Sequence, residues 1–103
     1  MRVAISIEAH DIIMKQVVSL IEIVEVKTQD KVVSVSKISV QLSEYSDFAT
    51  TSMFVATVLH VEKSSAFIDT VVEYHHREHF ALDTIDDVRA FYAECVALDD
   101  VSL

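Results

Sequence analysis

The sequence contains no glycine, no proline and no asparagine in 103 residues. Glycine and asparagine are the residues that adopt positive φ at low cost. Their absence disfavours tight two-residue type I′ hairpins and favours wider type I turns built from Ser, Lys, Asp and Thr. It also excludes the glycine loops that cradle phosphate, whether of the P-loop or the dinucleotide-binding kind. Asn-linked glycosylation is excluded as well.

Length and composition predict a single domain over residues 1–103, because 51% hydrophobic residues are enough to build a core. The only cysteine, Cys95, cannot form an internal disulfide, which favours a reducing compartment. The apolar run before Glu8 is too short for a secretory signal. No stretch approaches the roughly 20 apolar residues of a membrane span. We therefore expect a cytoplasmic protein without a membrane partner.

The charge is strongly acidic and unevenly distributed. The net charge is −9, from 17 acidic and 8 basic residues. Between Asp69 and Asp100, nine acids face only Arg77 and Arg89, so this third of the chain carries −7. Such a field repels nucleic acid and anionic lipid and attracts basic partners. We predict no direct nucleic-acid binding and a protein partner with a basic surface, although a simple solubilising surface is the alternative.

The first half of the chain predicts short elements. Arg2–Ser6 is typical of a strand, and apolar residues at helical spacing predict a helix around 9–19. Residues 17–26, VVSLIEIVEV, are rich in β-branched types, so we predict a strand around 20–27, with a helix over 17–27 as the open alternative. A further strand follows at 31–42. Its apolar alternation changes phase after Val35, which predicts a bulge near Ser36–Lys37.

Residues 52–75, SMFVATVLHVEKSSAFIDTVVEYH, predict a long β-hairpin. A turn at Glu62–Ser65 pairs Val61 with Ala66 and Val55 with Val72, which places an apolar face on the core. The other face mixes apolar and charged side chains, and we predict that it binds a partner. The predicted partner-binding residues on this face are Phe54, Val58, His60, Phe67, Asp69, Val71 and Glu73.

The last predicted element is a helix with its N-cap at Asp83 or Thr84 and acids in its first turn. An apolar stripe follows, formed by Ile85, Val88, Phe91, Tyr92, Cys95 and Val96. We expect this stripe to pack on the hairpin face that carries Val55. The predicted fold class is therefore α+β, an antiparallel sheet of about four strands packed on one face by helices.

Residues 73–80, EYHHREHF, hold three histidines in five positions. On a strand His75 and His79 share one face, and a metal would need a third ligand such as His60 or Glu78. No fixed spacing provides one, so we predict exposed histidines among acids. Cys95 falls on the apolar stripe, which favours burial over nucleophilic chemistry. We therefore predict no catalytic, cofactor-binding or metal residue, and no enzyme.

Residues 37–98 resemble the SecB family of export chaperones. The similar order is a strand (KISVQLSE), a long hairpin (MFVATVLHVEKSSAFIDTVVEY), the stop Phe80–Ala81–Leu82, and an acidic helix with an apolar stripe (DTIDDVRAFYAECVAL). The resemblance implies a four-stranded antiparallel sheet that backs onto helices, through which subunits assemble. It also implies apolar grooves that hold unfolded chains, and an acidic sheet surface that docks the translocation motor.

Three functions follow from these observations. The first is a SecB-like binding protein that holds non-native or apolar polypeptide and forms a homo-oligomer. The alternative is a small acidic inhibitor that blocks a basic, often nucleic-acid-binding, surface by charge mimicry. A metal-dependent enzyme is the third.

Overall fold

A computed structural model describes the backbone of residues 1–41, 50–67 and 70–101, and the side chains of these residues except 64–67, 70–72 and 96–101. Five antiparallel strands form one sheet in the order β1-β5-β4-β3-β2. The elements are β1 (Arg2–Ile5), α1 (Ile7–Lys15), β2 (Val17–Lys27), β3 (Lys31–Gln41), β4 (Thr50–Phe67), β5 (Thr70–Leu82) and α2 (Ile85–Val101). The α+β class and the antiparallel sheet are confirmed, with five strands where about four were predicted.

The two helices lie on opposite faces of the sheet, whereas the sequence predicted them on one. On the α2 face, a core cluster joins α2 to β3, β4 and β5; its buried members are Val33, Val35, Ala56, Val58, Leu82, Val88, Phe91 and Cys95. On the α1 face, a smaller cluster comprises Ile38, Val40 and Val55, with Ile13, Val17 and Met53 packed against it. The sheet is therefore covered on both sides.

Strand β3 contributes buried side chains to both core clusters. Its register with β4 runs without interruption from Lys31 to Gln41, so the predicted bulge near Ser36–Lys37 is wrong. Val33 and Val35 face α2, while Ile38 and Val40 face α1. The apolar phase changes because the strand transfers its buried side chains from one face of the sheet to the other. A phase change in an apolar pattern can therefore mark a strand that is buried on one face and then on the other, as well as a bulge.

The hairpin is longer than predicted. Val55 pairs with Ala81 and Val61 with His75, and β4 continues through the expected turn at Glu62–Ser65 to Phe67. No glycine, proline or asparagine interrupts the strand there. The new register places Leu82 opposite Phe54 and Phe80 opposite Ala56. The face that carried the predicted partner surface thus gains enough apolar area to bind α2.

Helix α2 begins as predicted. The Asp87 amide donates to Thr84 Oγ1 and the Thr84 amide donates to Asp87 Oδ2, both at 3.1 Å, which forms a reciprocal cap. Val88, Phe91 and Cys95 are buried, but Ile85 and Tyr92 remain exposed. The buried stripe is therefore narrower than predicted, and the predicted burial of Cys95 is confirmed. The side chain of Val96 lies outside the described residues.

Helix α1 is capped by Ser6, whose Oγ accepts the Ala9 amide at 3.1 Å. It ends at Lys15 and contains no buried residue. The β-branched run then continues directly into β2, which confirms the strand over 20–27 and begins it at Val17. Among the described residues, no helix is both long and apolar enough to cross a membrane.

Candidate functional site

The predicted partner-binding residues do not form one open surface. Val58 is only 6% exposed and belongs to the core beneath α2, and Phe54 packs against the same cluster. The prediction that these two side chains meet a partner is therefore wrong, because α2 occupies their face. Asp69 and the side chains of Phe67 and Val71 lie outside the described residues.

The remaining two predicted residues take part in local polar contacts. His60 Nε2 lies 3.4 Å from Glu78 Oε2, and its ring stacks on His76 with 5.8 Å between centroids. Glu73 Oε1 lies 2.7 Å from His75 Nε2. Both pairs are on the outer part of the β4–β5 hairpin, beside acids as the sequence predicted. Within the described residues, no group of three or more His, Cys, Asp or Glu side chains could hold a metal ion.

His79 departs from the predicted exposure of the EYHHREHF segment. It is 5% exposed, whereas His75 and His76 are exposed. Its Nδ1 lies 2.9 Å from Thr57 Oγ1, and its ring stacks on His10 of α1 with 3.7 Å between centroids. Burial lowers the pKa of His79, and the nearby His10 and Arg77 lower it further, against a smaller opposite effect of Asp11. The surroundings of His79 therefore favour its uncharged form.

Among the described residues, β2 carries more exposed large apolar side chains than any other element, and it is an edge strand with a neighbour on one side only. We define the β2 edge surface as Val18, Leu20, Ile21 and Ile23, which are 58%, 49%, 64% and 42% exposed. Leu20 is on the α1 face, opposite Ile38, and Ile21 is on the α2 face, opposite Lys37. Apolar side chains therefore project from both sides of the same edge. An edge strand with several exposed apolar side chains is unusual in a monomeric protein. Exposed apolar groups of this kind mark interaction sites.

Two β-bulges produce this arrangement. The register between β2 and β3 shifts between Val17 and Ser19 and again between Glu22 and Val24, so that Val18 and Ile23 are the additional residues. Each bulge breaks the simple alternation and leaves an apolar side chain outside the core. The sequence signal was the run of adjacent apolar residues in LIEIV, which fits neither strict alternation nor a solvated face.

The charge beside the β2 edge surface is negative. Glu22 and Glu25 are both exposed, and Lys27 Nζ lies 3.4 Å from Glu25 Oε1. A hydrogen bond and charge repulsion from Glu25 raise the pKa of Glu22. The edge therefore combines apolar contact with attraction for cations.

The molecule is extended for its mass. Its accessible surface is 7439 Å², against roughly 5,800 Å² for a compact monomer of this size. The Cα radius of gyration is 16.5 Å, against about 13 Å for a compact chain of this length. A chain with this much surface has more area available to a partner than a compact domain of equal length.

The fold and its edge define a small α+β protein with an exposed apolar strand. No protein-family model matches the chain, and no curated protein or solved structure does.

Proposed function

We propose that the protein is a non-enzymatic, cytoplasmic binding protein that holds apolar or non-native polypeptide segments, as the resemblance to the SecB chaperones also implies. The observation that carries the proposal is the β2 edge surface, with four large apolar side chains exposed on one edge strand. The binding site proposed here is therefore on β2 and not on the hairpin face.

The geometry favours an extended segment as the ligand. An edge strand offers unpaired backbone amides and carbonyls to another chain, and exposed side chains on both faces then contact alternate residues of that chain. The bulges leave two regular stretches, Ser19–Glu22 and Val24–Lys27. Each stretch supports only a short ladder of hydrogen bonds. Apolar contact therefore contributes more to the affinity than backbone hydrogen bonds in one fixed register do. Weak dependence on register suits a protein that accepts many sequences.

Charge favours a foreign segment over a second copy of the chain. Each copy carries −9, and Glu22 and Glu25 lie beside the edge, so two copies repel each other there. A client that combines apolar residues with lysine or arginine gains both contacts. Assembly into a homo-oligomer stays a prediction, and the test below distinguishes it from client binding.

The test uses two double variants matched in residue type and exposure. Ile21→Ser with Ile23→Ser removes the centre of the edge surface, whereas Ile12→Ser with Ile85→Ser changes two isoleucines that are 57% and 45% exposed elsewhere. Binding of a labelled extended peptide of apolar residues and lysines is measured by fluorescence anisotropy. We expect the first variant to weaken binding about tenfold or more, since each buried isoleucine contributes about 1.5–3 kcal/mol. The second variant should bind like the wild type.

Two outcomes contradict the proposal. Equal loss in both double variants would mean that general hydrophobicity, and not the edge, binds the peptide. A wild-type dimer in light scattering that becomes a monomer only in the Ile21→Ser, Ile23→Ser variant would mean that a second copy covers the edge.

Prevention of aggregation of reduced, unfolded lysozyme serves as the functional readout.

The acidic-inhibitor alternative depends on free negative charge, and each of the three α2 acids whose side chains the structure describes is paired with a cation. Asp86 pairs with Arg89 at 3.4 Å, Glu94 pairs with Arg2 at 2.8 Å, and Asp87 pairs with the Met1 amino group. Repeating the binding measurement at two salt concentrations separates the two functions. Charge mimicry weakens steeply as salt rises, because exposed charges are screened within about 8–10 Å. Binding through apolar contact does not weaken in this way.

A further inference from the structure

An open cavity of about 290 Å³ lies between α1 and the sheet, on the face opposite α2. This volume is at the lower end of the range for small-molecule pockets. One part of its wall is apolar and is formed by Met14, Leu20, Ile38 and Val55. The other part is polar and is formed by His10, Ser34, Ser36, Thr57, Arg77 and His79. The two parts together suit a ligand with an apolar portion and a polar head.

The charge of the wall is opposite to that of the chain. Among the residues that the structure describes, no acidic side chain lines this cavity, although the net charge of the protein is −9. Arg77 forms no ion pair with any residue that the structure describes. Asp11 lies next to His10, at 3.7 Å from its Nδ1, but belongs to an adjoining cavity and not to this wall. An unpaired guanidinium beside hydroxyl groups favours an anion.

The His79 ring is held in place by two neighbours. Thr57 Oγ1 holds the His79 ring through Nδ1 at 2.9 Å, and His10 stacks on the ring at 3.7 Å. Among the described residues the ring hydrogen-bonds only through Nδ1, and His79 lines the cavity, so Nε2 is the ring nitrogen left for a ligand. Because the ring is fixed from two sides, little conformational freedom is lost when a ligand binds.

We propose that this cavity binds a small aliphatic carboxylate, whose carboxylate group meets Arg77 and His79 and whose alkyl chain lies against Met14, Leu20 and Ile38. The volume corresponds to roughly ten non-hydrogen atoms at about 30 Å³ each, the share of a water molecule in the liquid. This size matches a fatty acid of about six to eight carbons. The site shares only Leu20 with the β2 edge surface and does not depend on polypeptide binding there.

The first experiment is calorimetric titration of the full chain with hexanoate, and with hexanol and inorganic phosphate for comparison. We expect hexanoate to bind with one site per chain and about tenfold or more tightly than either comparison compound, a difference of about 1.4 kcal/mol or more. Equal binding of hexanol would mean that the cavity is only apolar. Equal binding of phosphate would mean that it is only a patch of positive charge. Either result overturns the proposal.

A pair of arginine variants locates the site. Arg77→Gln should weaken hexanoate about tenfold, while Arg89→Gln, which changes an exposed arginine on α2, should leave binding unchanged. Both side chains are exposed, so both variants should keep the wild-type melting temperature. Unchanged hexanoate affinity in Arg77→Gln would overturn the proposed position of the carboxylate.

Nuclear magnetic resonance supplies a readout that a structural role would not move. The titratable and charged groups that face His79 are His10 and Asp11 of α1 and Arg77 of its own strand. A bound carboxylate adds a negative charge to this set, so hexanoate should raise the pKa of His79 toward its ordinary value. The His79 signal is identified by its absence in the His79→Gln spectrum. A His79 titration curve that hexanoate does not shift would place the ligand elsewhere and overturn the proposal.

Discussion

The two faces of the sheet differ in what they bury. The α2 face is apolar, and Val35, Ala56 and Leu82 are fully buried there. The α1 face carries serines, Thr57 and two stacked histidines around an open cavity, beneath a helix without a buried residue. Close packing stabilises a fold, whereas a cavity and fixed polar groups can accommodate a ligand. Most of the stability therefore comes from the α2 face, and the candidate ligand site lies on the α1 face.

The largest expected effect concerns the α2 face. Phe91 is 4% exposed and contacts Phe80, with 5.6 Å between ring centroids, so Phe91→Ala should destabilise the protein by about 3–5 kcal/mol. The neighbouring Tyr92 is 42% exposed and serves as the aromatic control. Tyr92→Ala should cost clearly less in urea denaturation. Equal costs would mean that α2 is rotated about its axis relative to the structure described here.

A matched pair on β4 compares the faces directly. Val55 and Val58 are 5% and 6% exposed but lie on opposite faces of the strand. Val58→Ala opens a new space in a closed core and should cost about 2 kcal/mol. Val55 already lines the cavity, so Val55→Ala removes fewer contacts and should cost about 1 kcal/mol. A larger cost at Val55 would show that the α1 face is the tighter one.

The elements of this fold were readable from local pattern, but the assignment of faces was not. Apolar alternation, β-branched residues and the Thr84 cap are local signals, and they predicted the strand segments and the start of α2. Which hairpin face binds α2 depends on register, and register depends on where the turn lies. In a chain without glycine, proline or asparagine, the turn leaves little trace in the sequence. The pairing of Val55 with Ala81 in place of Val72 was enough to exchange the predicted core and partner faces.

The candidate sites were predictable only in part. The run LIEIV was a visible anomaly, but its place at the sheet edge follows from the strand order, which no local pattern encodes. The contact between His10 and His79 joins α1 to β5, far apart in the chain, and neither residue has a neighbour that marks the pair. The segment EYHHREHF drew attention to His79, but its burial depends on the position of α1.

The two helix caps extend the comparison to local stability. Thr84→Ala removes the cap of a helix that contributes to the core, so it should lower global stability by about 1 kcal/mol. Ser6→Ala removes the cap of α1, which buries no residue, and should act locally. Amide hydrogen exchange should therefore accelerate within Ile7–Lys15 in Ser6→Ala, with little change in melting temperature. A drop in melting temperature as large as that of Thr84→Ala would show that α1 unfolds together with the sheet.

The smallest expected effect is a pH dependence that belongs to the α1 face alone. Burial and the nearby His10 and Arg77 lower the pKa of His79 in the folded protein below its ordinary value of about 6.5. Below about pH 6.5 the unfolded chain therefore binds a proton at this residue before the folded chain does, so this contribution to stability is lost as the pH falls. His79→Gln removes the titrating imidazole. The melting temperature of this variant should therefore fall less between about pH 7 and pH 5 than that of the wild type. His76→Gln changes an exposed histidine two residues before Glu78 and should keep the wild-type slope. The carboxylates that titrate in acid are common to all three proteins, so the difference in slope isolates His79. Identical slopes would mean that His79 is not buried in solution as it is in the structure.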